Sequence, residues 1–212
     1  GKALGQPIHR LLGGKHHSKL RGYASILFGR DGKETADIAR RWVSEGYTAV
    51  KFGWEPMGTS EAVDIDLVRG AREGLGRDRS PIPIAAGEGE CGRESFRPLI
   101  DQRALDVYQV DISRCGFTDA AYIRARVEEI GARLCNHCYT SPLTVAASLH
   151  WLSTCRDAFI FEDCVEDSPL RHDLTIEKVR SVNGWIEVPD RPGLGVTLDE
   201  GFVKRHLVAE SR

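Results

Sequence analysis

Apolar residues fall along this chain in short runs rich in β-forming side chains: Tyr23 to Phe28, Ala49 to Phe52, Ile82 to Ala86, Val107 to Val110, Leu134 to Cys135 and Phe159 to Phe161. Their starts lie 26, 33, 25, 27 and 25 residues apart. Runs of this length, apolar on both faces, read as buried strands of a parallel sheet. The segments between them carry a helical period instead. Ile123, Val127, Ile130 and Leu134 recur at i, i+4, i+7 and i+11, with Arg and Glu on the other side; Ala36, Ala39 and Val43 do the same, as do Val63, Leu67 and Ala71. Strand, helix and strand at ~30-residue spacing predict right-handed βαβ units, and six can be counted. After Asp167 the rhythm stops, and WIEVPDRPGLGVTLDE predicts irregular or short-strand structure packed over the domain. No repeat, low-complexity tract or linker interrupts residues 20 to 165.

Composition narrows the class. A chain of 212 residues that is 41% apolar can bury a substantial core. With 29 basic against 31 acidic residues, spread evenly, there is no basic field to attract nucleic acid or anionic lipid. No apolar run approaches the ~18 residues of a membrane helix, and the opening GKALGQPIHRLLGG has no signal-peptide core, so a cytoplasmic protein with no membrane partner is expected. The six cysteines are expected to be reduced thiols. No phosphate loop of the Gly-Lys-Ser type occurs, so a phosphate-loop nucleotide site has no support.

Candidate chemistry lies where the apolar runs end. Lys51 follows TAV, Glu88 follows PIAAG, Asp111 follows VYQV, His137 follows LCN and Glu162 follows FIF. In parallel α/β folds the C-terminal strand ends open on one face, where the βα loops build active sites. One polar residue at a strand end is ordinary; five in series point to a shared site. Carboxylates on neighbouring strands can hold a hard cation, and a His beside an Asp has its tautomer fixed and its basicity raised. Such a set suits proton abstraction next to a carboxylate, where a cation stabilises the enolate.

At these residues the sequence resembles the barrel domain of the enolase superfamily, in the mandelate racemase and muconate lactonizing enzyme group. The resemblance is carried by ALGQPIHRLLGG, GYTAVKFGW, PIAAGE, DVYQVDISRCG, NHCYTSPLTVAASLH, FIFEDC and VPDRPGLGVTLDE, which span nearly the whole chain. It implies a (β/α) barrel beside a capping domain, Mg²⁺ as cofactor, and removal of a proton α to a carboxylate. By position, Glu88 matches a metal ligand, Asp111 and His137 match an Asp-His dyad, Glu162 matches the acidic group near the substrate on the last strand, and Lys51 matches the first lysine of a Lys-x-Lys motif.

Against that family pattern, the second lysine is Gly53, which disfavours a two-base racemase or epimerase. Only GRDRS separates the helix ending near Gly76 from PIPIAAGE, so two βα units, with two of the three carboxylate ligands, are absent; Asp64 and Asp66 on the preceding helix and Asp78 in the turn offer no substitute. The expected fold is therefore an incomplete TIM-like (β/α) barrel of about six βα units at 21–167, preceded by a remnant of the capping-domain linker at 1–20 and followed by a closing segment at 168–212. The loss leaves either a rearranged closure or two open strand edges, which would invite pairing with another chain, as in a homo-oligomer.

The expected function is that of a Mg²⁺-dependent acid-sugar dehydratase acting on a small carboxylate substrate, impaired in this form. The alternative is a catalytically silent fragment or degenerate paralogue. Glu88 alone is expected to bind Mg²⁺ weakly or not at all, since Lys51 can replace the cation with an ion pair, and no acid sugar would then turn over. Cys135 and Cys138 form a C-x-x-C without a second metal-ligating pair, and His16 and His17 read as a polar loop. Glu90 and Cys91 read as loop, and Asp163 as a structural partner facing away from Glu162.

Overall fold

The computed structural model describes residues 1–76 and 85–208. A short helix α1 (Ile8–Leu11) leads into β1 (Lys19–Leu27), after which helices and strands alternate: α2 (Gly32–Ser44), β2 (Val50–Gly53), α3 (Glu61–Leu75), β3 (Ala85–Ala86), α4 (Gly92–Asp101) and β4 (Val107–Asp111). The pattern continues with α5 (Ile112–Glu129, kinked at Gly116), β5 (Arg133–His137), α6 (Pro142–Leu152) and β6 (Ala158–Cys164). The closing segment carries α7 (Pro169–Asp173), β7 (Trp185–Glu187) and α8 (Glu200–His206).

Strands β1 to β6 form a curled, parallel half-barrel in the order β2-β1-β6-β5-β4-β3, and β7 adds antiparallel to Lys19–Arg21 of β1. The six βα units and the incomplete barrel are as the spacing predicts. Strands β2 and β3, neighbours in sequence, are the two ends of the sheet, so the opening falls where two units are absent. Asp78, Ser80 and the 82–84 part of the third apolar run lie outside the described residues.

Alternation along the strands sorts side chains into two layers. Tyr108, Val110, Leu134 and Phe161 point outward and pack with Ile123 and Val127 of α5 and Leu149 and Leu152 of α6. Tyr23, Val107 and Cys135, with Ala49 and Ile160, fill the concave interior and form the floor beneath the strand ends. Several boundaries differ from the expectation. Leu134 is not the last turn of a helix: Gly131 has φ 71°, its N–H returns to the Glu128 carbonyl, and the chain leaves the helix there. Strand β6 runs two residues past Glu162, and Lys51 lies inside β2, because both strands are held by β1 beyond their apolar runs. The closing segment contains two short helices the Pro and Gly content concealed; α8 starts on Asp199, whose side chain accepts from Phe202 N–H.

Helices α2 and α3 approach at glycine. Asp66 of α3 accepts the Gly32 N–H at 2.7 Å, and Gly70 faces the Gly32 carbonyl. Asp64 likewise accepts the Gly58 N–H at 2.7 Å, so both of these aspartates are spent on backbone. Among the described residues no helix is long and apolar enough to cross a membrane, and the six cysteines are free thiols.

Candidate active site at the strand ends

The ladder register decides which residues meet. Asp111 and His137 are direct Cα partners in the β4–β5 ladder, Ser25 is partner to Lys51 in β1–β2, and Tyr23 is partner to Glu162 in β1–β6. In a parallel ladder partners share a face, so all of these side chains enter the interior above the Tyr23–Cys135 floor. Glu88 joins them from the turn just after β3. The five ionisable residues singled out in the sequence thus converge.

His137 Nδ1 is 3.0 Å from Asp111 Oδ2, and its Nε2 is 3.9 Å from both Glu88 Oε2 and Glu162 Oε2. Asp111 is at once the last residue of β4 and the N-cap of α5: its Oδ1 accepts from Ser113 N–H at 2.7 Å and Ser113 Oγ at 2.5 Å. The carboxylate is therefore fixed before it orients the imidazole. The Asp111 hydrogen bond, outweighing burial, raises the His137 pKa, and Glu162 and Glu88 add to the rise. Burial pushes Asp111 upward, but its hydrogen bonds from His137 and Ser113 prevail and hold it low. Arg114 Nε, 3.6 Å from Asp111 Oδ2, adds a positive charge at the rim.

Lys51 Nζ donates to Glu88 Oε2 at 2.7 Å and to Glu162 Oε1 at 3.1 Å. Burial acts to lower the Lys51 pKa, yet the two carboxylates raise it above the ordinary value. Burial opposes ionisation of Glu88 as well, and Lys51 overrides it, holding Glu88 low. Glu162 is fully buried and spends both oxygens on the protein: Oε1 also accepts from Ser25 Oγ at 2.9 Å, and Oε2 accepts the Cys138 N–H at 2.7 Å. Asn136 clamps its backbone from β5, donating to the Glu162 carbonyl and accepting the Glu162 N–H.

A cavity of about 410 Å³ opens over this cluster, lined by Ser25, Lys51, Trp54, Glu88, His137 and Tyr139 among others. Ser25, Trp54, Tyr139 and the Cys138 N–H were not among the residues singled out. Ser25 was findable, since it stands two positions after interior Tyr23, whereas Trp54 and Tyr139 sit on loops with no periodic signal. The remaining motifs stay outside the cavity. Asp163 points to the other side of β6 and accepts from Tyr47 Oη at 2.6 Å, with burial raising its pKa. Burial pushes the Cys135 and Cys138 thiols up, away from thiolate chemistry, and His16 and His17 bond the Ser153 carbonyl through their backbone.

The model of the enolase C-terminal domain-like family matches residues 77–202. A D-gluconate/D-galactonate dehydratase of Picrophilus torridus is 28% identical over 268 residues, covering 97% of this chain and 67% of that protein. That alignment is longer than the whole of this chain, so a stretch of the relative has no counterpart here. A D-galactarolactone cycloisomerase of Agrobacterium fabrum is 23% identical, over 94% of this chain and 68% of its own length. Among solved structures, a predicted mandelate racemase from Rhodobacter sphaeroides superposes with TM-score 0.85 at 28% identity, covering 100% of this chain and 68% of that one. An enolase-superfamily member from Salmonella typhimurium, 23% identical, shares the fold with TM-score 0.85 over 96% and 72% of the two chains.

Proposed function

This chain belongs to the enolase C-terminal domain-like family, and from that premise we propose that its strand-end cavity carries out acid-base dehydration of a small hydroxy-carboxylate of the acid-sugar class. The observation that carries the reading is the dyad: His137 is oriented and made more basic through Nδ1 by Asp111, which leaves Nε2 facing the cavity beside Lys51 and Glu88. The dehydratases among the relatives supply the substrate class.

Members of the superfamily generally use Mg²⁺. Mg²⁺ needs several oxygens in near-octahedral array. Glu88 Oε2 is held by an ammonium, both Glu162 oxygens are occupied, and among the described residues no three His, Cys, Asp or Glu side chains are placed to hold a metal. The residues do not fit the ion.

The chain's own groups suffice for a slower route. An ammonium has three donors. Two of those of Lys51 go to Glu88 and Glu162, which leaves the third for the substrate carboxylate. Neutral His137 takes the α-proton at Nε2, and the electron pair it leaves moves into the carboxylate as an enediolate facing Lys51. The same proton then passes to the β-hydroxyl, whose C–O bond breaks to release water, and the enol relaxes to a 2-keto acid. Glu162 positions Lys51 and does not touch substrate. Lys51 supplies part of the positive charge the enediolate needs, and the turnover proposed is slow. Racemisation would need a base on the opposite face, where the chain has Gly53 with open space around it.

The test is incubation with D-gluconate and D-galactonate in D₂O, following α-hydrogen exchange and 2-keto-3-deoxy acid by NMR. Exchange and product that vanish in His137→Asn support the reading. Neither signal above the protein-free background would refute it.

A further inference from the structure

We infer that Lys51 is the built-in cation of this acidic pocket, its ammonium filling the seat that Glu88 and Glu162 would otherwise offer to a divalent ion. Two carboxylates converge on Nζ at 2.7 and 3.1 Å, one from the turn after the edge strand β3 and one from the inner strand β6. Glu162 has no exposed surface, so solvent cannot compensate its charge; a cation within hydrogen-bond reach must do so. The side chain that does so comes from β2, the other end of the open sheet, and reaches the pair across the concave face.

The seat and a metal ion exclude one another. A divalent ion bound to Glu88 and Glu162 would lie within a few ångströms of Nζ, and the like charges would repel strongly in so buried a place. The third carboxylate of the cluster gives no alternative, because Asp111 is committed to His137 and Ser113. The ammonium supplies one positive charge through flexible donors, against two from a metal with strict geometry. The pocket therefore stays ordered without metal and is tuned to a weaker, monovalent field.

This inference concerns the same pocket as the proposed dehydration but is read without substrate, so either can fail alone. Mn²⁺ is the probe, its free fraction followed by electron paramagnetic resonance with wild type, Glu88→Gln, Lys51→Gln, Lys51→Arg, and Lys51→Gln combined with Glu88→Gln. Wild type and Lys51→Arg are expected to bind no tighter than ~1 mM, a weak-site affinity. Lys51→Gln is expected to bind at least tenfold tighter, a gain lost with Glu88→Gln. A folded Lys51→Gln protein with no gain overturns the inference. So does submillimolar binding by wild type that Glu88→Gln removes, an arm that decides the matter even if Lys51→Gln does not fold.

Discussion

His137 Nδ1 lies 3.0 Å from Asp111 Oδ2, and the two residues are also direct register partners across the β4–β5 ladder. Backbone pairing and side-chain pairing thus reinforce one another, and a slip of one residue in either strand would turn one partner out of the interior. The dyad is a property of the sheet as much as of the two side chains.

Its contribution to stability depends on pH in a fixed direction. His137 has a folded pKa raised above the ordinary value of about 6.5, so its share is complete below that pH and is lost as pH rises through the folded value. Asp111 is held below its ordinary value of about 3.9, so its share is lost as acid protonates it. Asp111→Asn keeps a capping side chain for α5 but removes the charge. Chemical unfolding across the pH range should show the variant less stable by ~1–2 kcal/mol between those limits, with the gap narrowing above the His137 pKa. A gap independent of pH would contradict the pairing.

His137→Asn should lower any acid-sugar dehydration by ~10²-fold to 10⁴-fold, the usual share of a positioned proton-transfer group, with little change in circular dichroism. Turnover within threefold of wild type would mean that another group moves the proton.

Lys51→Met should cost ~3 kcal/mol of stability, because it leaves fully buried Glu162 without its cation. Adding Glu162→Gln to that variant should recover part of the loss, since the amide fills the same space without charge. Urea midpoints of the two variants provide the comparison, and equal midpoints would show that the charge of Glu162 is compensated elsewhere.

Gly70→Ala should destabilise although alanine is the better helix former. A Cβ there would meet the Gly32 carbonyl oxygen, where α2 and α3 cross closely. Overpacking of this kind costs ~2 kcal/mol, against the ~1 kcal/mol gained from helix propensity, so a net loss in thermal stability is expected. A rise in Tm would show that the two helices can move apart freely.

The six βα units and the incomplete barrel were legible because short apolar runs and their ~30-residue spacing both survive in the sequence. The convergence of Lys51, Glu88, Asp111, His137 and Glu162 followed from strand-end positions alone. What those groups bond to did not follow. That Glu162 is consumed by Ser25, Lys51 and the Cys138 N–H depends on a three-strand register that no local pattern encodes. Helices α7 and α8 were hidden for a different reason: at five and seven residues, they owe their existence to capping and packing more than to any apolar period.

Strand β1 has one more consequence, for the order in which the molecule is made. It pairs with β2 soon after it in sequence, but its other neighbours are β6 and β7, and the Ser25–Glu162 bond closes a separation of 137 residues. During synthesis β1 and β2 therefore leave the ribosome with one side unclaimed, and Lys51 has no buried carboxylate to meet until β6 has been translated. Closing so long a loop is slow relative to forming the local βα units, and unpaired strand edges are sticky in the meantime. The pocket is thus among the last features to assemble.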